Sequence, residues 1–177
     1  MVDESGVKLT PPVRRTWAPR GKTPVLRHRY RRGKQLSMGG LLGYRHGDGG
    51  DGEQVAAWMG FELLEGAYDT RQCIRVLEGL GHQPVTVTWD NLGAHHAGDL
   101  QDWAATQPWL ELAYLPSYAP ELDPVEGLWA NLKGWELASR CCADRAGLIA
   151  TAQVGSIRAR RDPELLRSLL AGTGLTI

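Results

Sequence analysis

Cysteine is scarce in this sequence: Cys73 and the adjacent pair Cys141 and Cys142 are the three in 177 residues, and no CxxC spacing occurs. That excludes a disulfide framework, argues against a zinc-ribbon type of site, and favours a reducing compartment. Long apolar runs are missing too. The longest stretch without a charged side chain is Ala146 to Ile157, 12 residues, short of the ~18–20 a spanning helix needs. The first residues, Met1-Val2-Asp3-Glu4-Ser5, carry neither a basic segment nor an apolar one, so no secretory signal is visible. No repeat of fixed period occurs, and low complexity is confined to Gly47-Asp48-Gly49-Gly50-Asp51-Gly52. What is present fits a soluble, cytoplasmic globular protein of one domain: 42% apolar and 23% charged residues. A chain of this size buries roughly two-thirds of its unfolded surface, enough for a core without staples.

Net charge is also absent, but only as a sum. Residues 1–34 hold ten basic side chains against two acids, residues 35–139 four against fifteen, and residues 140–177 six against three. An acidic middle between basic ends suits a protein that holds a polyanion at its edges while a carboxylate cluster recruits cations. Uneven solvated surface is the plainer reading. Arginine outnumbers lysine 16 to 4, a ratio that by itself decides nothing.

The patterning predicts a short strand at Val2–Val7, then two antiparallel strands, Leu36 to Tyr44 and Val55 to Leu63, joined by a flexible glycine-rich hairpin at 47–52. Asp69 caps a helix in which Cys73, Val76, Leu77 and Leu80 recur at helical spacing, and Gly81 ends it. Val85-Thr86-Val87-Thr88-Trp89 alternates as a strand and runs into Asp90-Asn91. A helix over Gly98 to Thr106 and a strand over Trp109 to Leu115 follow. Pro116-Ser117-Tyr118-Ala119-Pro120 is a stiff loop, because each proline biases its predecessor away from helix. Asp123-Pro124 opens the next helix, with Val125, Leu128, Trp129 and Leu132 on one face. A basic helical tail covers residues 141–177, broken at Asp162-Pro163. Three strands followed by alternating helices and strands indicate an α/β fold with a mixed sheet. If the first strand and the one ending at Asp90 lie side by side, they share a crevice of the kind where open α/β sheets place their sites.

Three carboxylates stand out by position. Asp3 lies on the first strand, Asp90 ends the clearest strand, and Glu126 sits in the first turn of the helix after Pro124. Each has a plainer reading as well: a charged chain start, an Asx turn, and an Asp123–Glu126 capping box.

Four stretches carry these residues: Asp-Glu-Ser-Gly at 3–6, Thr-Trp-Ala-Pro-Arg-Gly-Lys-Thr-Pro at 16–24, Thr-Trp-Asp-Asn-Leu-Gly-Ala-His-His at 88–96, and Leu-Pro-Ser-Tyr-Ala-Pro-Glu-Leu-Asp-Pro-Val-Glu-Gly-Leu-Trp-Ala-Asn-Leu-Lys at 115–133. Over about residues 1–140 the chain resembles the catalytic domain of mariner-like and bacterial insertion-sequence transposases of the DDE superfamily. The last stretch is the specific one. The resemblance implies a ribonuclease H-like fold, in line with the element order.

It also implies roles. Asp3, Asp90 and Glu126 match the carboxylates that hold two divalent ions, Mg²⁺ or Mn²⁺. Hard cations prefer oxygen ligands, and a pair of ions can serve both the attacking and leaving oxygens of an in-line displacement. The implied reaction is cleavage at the ends of a DNA element and strand transfer into target DNA, commonly at a deformable TA step, by a homodimer. The rival readings are an inactive remnant that binds nucleic acid weakly, and a ribonuclease H-like nuclease unrelated to transposition. His95, five residues after Asp90, matches the family histidine and is expected at a phosphate or beside the metal site. Asn91 is expected to orient Asp90. Lys133 and the basic run Arg27, Arg29, Arg31, Arg32 and Lys34 are expected to meet DNA phosphates. Asp123 stands where the family usually has asparagine and adds a fourth acid. The family places helix-turn-helix modules ahead of this domain, and the sequence starts two residues before Asp3. The expectation is therefore an N-terminally truncated chain with a shortened first strand.

Overall fold

The computed structural model describes residues 1–27, 36–45 and 55–175. Strands β1 (Val2–Val7), β2 (Leu36–Arg45) and β3 (Ala56–Glu65) form an antiparallel sheet in the order β1-β2-β3. The expected glycine-rich hairpin at 47–52 lies outside the described residues. The rest of the chain alternates: α1 (Thr70–Glu78), β4 (Val85–Trp89), α2 (Gly98–Ala105) and β5 (Leu110–Tyr114). Then come α3 (Pro124–Gly134), α4 (Arg145–Arg160) and α5 (Pro163–Gly172). Local chemistry explains the helix starts. Asp69 and Gln72 form a reciprocal capping box for α1, and Asp123, Asp144 and Asp162 each cap a helix through their side chains.

Helices cover both faces. On one side Val125, Leu128, Trp129 and Leu132 of α3 join Leu148, Ala152 and Ala159 of α4 and Leu166 of α5 against Leu36, Met38 and Leu42 of β2. On the other, Cys73 and Leu77 of α1 and Leu100 of α2 pack with Val2, Val87 and Trp89. Burying each such large side chain contributes about 1.5–3 kcal/mol. The helices after residue 140 thus share the core of α3 and the antiparallel sheet.

One feature departs from a single continuous sheet. β4 and β5 pair parallel, Val85 opposite Leu110 through Trp89 opposite Tyr114. This pair is a separate ladder from β1-β2-β3. β1 approaches β4 without hydrogen-bonding to it. Val2 pairs with Leu41 and the Met1 ammonium donates to the Leu42 carbonyl at 2.7 Å, so Gly43, Tyr44 and Arg45 of β2 have no strand partner on that side among the described residues. A slot of about 460 Å³ opens there, lined by Gly43, Tyr44, Val85, Thr86 and Val87 among others.

Candidate active site

Asp3, Asp90 and Glu126 come from β1, the end of β4 and the first turn of α3, and they line one cleft of about 460 Å³. Asp123, Asn91 and the loop Leu115 to Pro120 complete its wall. Pleating explains Asp3: neighbours on a strand point to opposite faces, so Asp3 faces this cleft while Glu4 lines a cavity on the other side of the sheet.

Each of three aspartates has one oxygen tied to a protein donor. The indole Nε1 of Trp129 donates to Asp3 Oδ2 at 2.7 Å. Gly40, opposite Asp3 in the ladder, makes that approach possible, because a Cβ there would lie 2.7 Å from the Trp129 ring. Asp90 Oδ1 accepts from the Leu92 amide at 3.0 Å and lies 2.7 Å from His95 Nδ1. Asp123 Oδ1 accepts from the Val125 amide at 2.9 Å. The second oxygen of Asp90 and of Asp123 lies outside these contacts, and Glu126 is exposed. The Asx turn at Asp90 and the helix cap at Asp123 both exist, alongside convergence rather than instead of it. The capping box does not form, since Asp123 caps alone and the Glu126 carboxylate is left to the cleft.

Crowded acids resist ionisation. Burial, with the Asp123 and Glu126 carboxylates nearby and the Trp129 hydrogen bond opposing, pushes Asp3 up to about 7. Burial, with Glu126 and Asp90 nearby and the Val125 amide opposing, raises Asp123 to about 6. A set made only of oxygen donors, two of them held partly neutral for want of counter-charge, fits hard divalent cations such as Mg²⁺ or Mn²⁺.

The other expected residues divide. His95 is wholly buried and stacked on Trp89 at 4.2 Å. It stands behind Asp90, beside the acidic set, and is not among the residues that line the cleft. Asn91 lines the cleft but ties β4 to β5, donating to the Leu115 carbonyl, while its oxygen meets His96 at 3.1 Å. Asp90 is oriented by His95 and Leu92 instead. Lys133 donates to the Ser5 hydroxyl on β1 and is not among the residues that line the cleft. Arg27 is exposed and lies outside any helix or strand. Arg29, Arg31, Arg32 and Lys34 lie outside the described residues. Tyr118, which carried no role in the sequence, is fully exposed at the cleft with φ of 61°. Its signal was the pair of prolines around it, which stiffen the loop that presents it.

Acids from three distant segments thus meet in one crevice of a layered α/β fold. The chain belongs to the DDE superfamily endonucleases, whose family model matches residues 1–149. A comparison with curated proteins finds no match. Among solved structures, the chain is similar to the Mos1 strand transfer complex, with 18% identity, a TM-score of 0.61, and 99% of this chain matched to 54% of that one. It is similar to a pre-cleavage Mos1 transpososome at 17% identity and a TM-score of 0.62, covering 99% and 56%. The Mos1 mariner paired end complex with Mn gives 17%, 0.59, 98% and 54%. The fold is thus ribonuclease H-like. The chain spans about half the length of the solved transposase chains it matches.

Proposed function

We propose that this chain is a transposase catalytic domain that cuts DNA at the ends of an insertion sequence and joins them to target DNA. Convergence of Asp3, Asp90 and Glu126 on one cleft is the observation that carries the reading. Those three would hold two ions, Mg²⁺ or Mn²⁺, with Asp123 at the rim. Bound there, such ions would supply positive charge to the reacting oxygens of a phosphodiester.

The chain's own residues supply position. Trp129 and His95 lock the carboxylates of Asp3 and Asp90, so that little reorganisation is needed when a phosphate arrives. Tyr118 offers an aromatic face beside the cleft on which an unpaired base can stack. Arg27 and the basic run through Lys34 would hold the backbone of the polyanion. Water is the first nucleophile and the freed 3′-hydroxyl the second, both entering the same crevice. Target choice at a TA step draws on that step's deformability, and a homodimer would pair two ends. The named Mos1 complexes, one of them with Mn, support this reading by likeness of fold.

The test begins with metal. Mg²⁺ or Mn²⁺ in large excess should raise thermal stability, by about 2.7 kcal/mol at a hundredfold excess over Kd, and Asp90→Asn should blunt the gain. Nicking of supercoiled DNA with Mn²⁺ should then be lost in Asp3→Asn, Asp90→Asn and Glu126→Gln. Identical melting curves with and without metal would overturn the reading.

A further inference from the structure

Behind Asp90, on the far side of the sheet from the acidic cleft, lies a second set of donors of a different kind. Glu4, Cys73 and His95 each bring a ligand atom within 4.8 Å of the other two. Cys73 and His95 are fully buried, and the Glu4 side chain is 12% exposed. His95 Nε2 stands at ion-pair distance, 3.3 Å, from Glu4 Oε2, yet out of line for a hydrogen bond. A buried ring nitrogen without a hydrogen bond is rare, and this one is grouped with a carboxylate and a thiol.

The arrangement has the marks of a transition-metal site. Two ligands at the usual zinc–nitrogen and zinc–oxygen lengths, spread tetrahedrally, stand about 3.4 Å apart, close to the 3.3 Å seen between His95 and Glu4. A thiolate and an imidazole select zinc over magnesium, which prefers oxygen alone. Metal-ligating histidines hand their other nitrogen to a carboxylate, which fixes the tautomer; here His95 Nδ1 meets Asp90 Oδ1 at 2.7 Å. Thiolate and carboxylate together would neutralise the ion's two charges. Entry is open, because Glu4 also lines a cavity of about 770 Å³ with Tyr68, Glu62 and Arg75.

We propose that Glu4, Cys73 and His95 form a Zn²⁺ site, separate from the acidic cleft and joined to it through the imidazole of His95. The fourth position would take a water from the cavity. Binding replaces the thiol proton and any proton on Nε2, both released to solvent, and involves no change of oxidation state. The ion would hold His95 as its Nδ1–H tautomer, and so hold the carboxylate of Asp90.

Co²⁺ is the probe, since a cobalt–thiolate bond absorbs where cobalt–oxygen sites do not. It is titrated into the folded chain with excess Mg²⁺ present. One equivalent should give the thiolate charge-transfer band, and one equivalent of Zn²⁺ should remove it. Cys73→Ser should abolish the band. Asp3→Asn with Glu126→Gln should keep it, which separates this site from the proposed function. Glu4→Gln, a change at a partly exposed position, should weaken Co²⁺ at least tenfold and serves where Cys73→Ser fails to fold. No thiolate band in wild type, or Co²⁺ affinity unchanged in Glu4→Gln, would overturn the site. A band that survives Cys73→Ser belongs to Cys141 or Cys142 and would overturn it equally.

Discussion

At the scale of single residues, the acidic cleft is held by donors that are not acids. Trp129 is the most exposed to test. Trp129→Phe keeps an aromatic ring in the core but removes the proton given to Asp3. Losing that buried bond should cost about 1–3 kcal/mol in chemical denaturation and push Asp3 above its present value of about 7. Unchanged stability would show that the indole is packing alone. The same residues set the response to pH. A carboxyl at about 7 in the fold and near 3.8 when unfolded keeps a proton that the unfolded chain has released. Stability without metal should therefore fall as pH rises through that window, and Asp123 adds the same sign up to about 6. His95 continues it. Burial alone would lower its imidazolium, but the Cys73 thiol and Glu4 carboxylate raise it to about 10, so its contribution is whole below 6.5 and lost toward 10. The buried Met1 ammonium, lowered by burial to about 6 against Asp123's pull, opposes these between about 6 and 8. Melting curves from about pH 4 to 7 should decline, and Mg²⁺ should flatten the decline by favouring ionised carboxylates. A flat profile without metal would contradict the crowding.

At the scale of elements, the strands and helices were legible because each carries its own signal. Val85 to Trp89 alternates, Asp69 caps α1 with Gln72 three residues on, and Pro124 opens α3. The acids of the cleft were legible through motif and position. Their neighbours were not. Trp129 above Gly40 joins residues 89 apart in sequence, and Glu4, Cys73 and His95 meet only because β1, α1 and the turn after β4 stack behind one another. No spacing rule connects such positions. Lys133 meets Ser5 and His95 backs Asp90, both outside the lining of the cleft; a one-dimensional motif does not say which partner a side chain meets. Gly40→Ala tests how tight that stacking is. A methyl group 2.7 Å from the Trp129 ring should cost about 1–3 kcal/mol by overpacking and disturb the bond to Asp3. A variant as stable as wild type would mean that α3 can shift away from the sheet.

At the scale of the whole molecule, charge and sheet architecture meet. With a basic start and an acidic middle, binding to duplex DNA by this chain should rest on phosphates, be weak at ~10⁻⁴–10⁻⁶ M, and fall steeply with salt. Affinity insensitive to salt would contradict a phosphate-led contact. Tyr118→Ala should weaken single-stranded DNA by about 1–3 kcal/mol and leave duplex affinity nearly unchanged. The separation of the two ladders has a further consequence, in time rather than in space. Amides of β4 that point away from β5 have no ladder partner among the described residues, so they should exchange their hydrogens for deuterium faster than those turned toward β5. Asp3 lies in one ladder and Asp90 directly follows the other, so a cation gripping both would also fasten the two halves of the sheet. Slower exchange along β4 on adding Mg²⁺ would then read out that grip from the backbone itself.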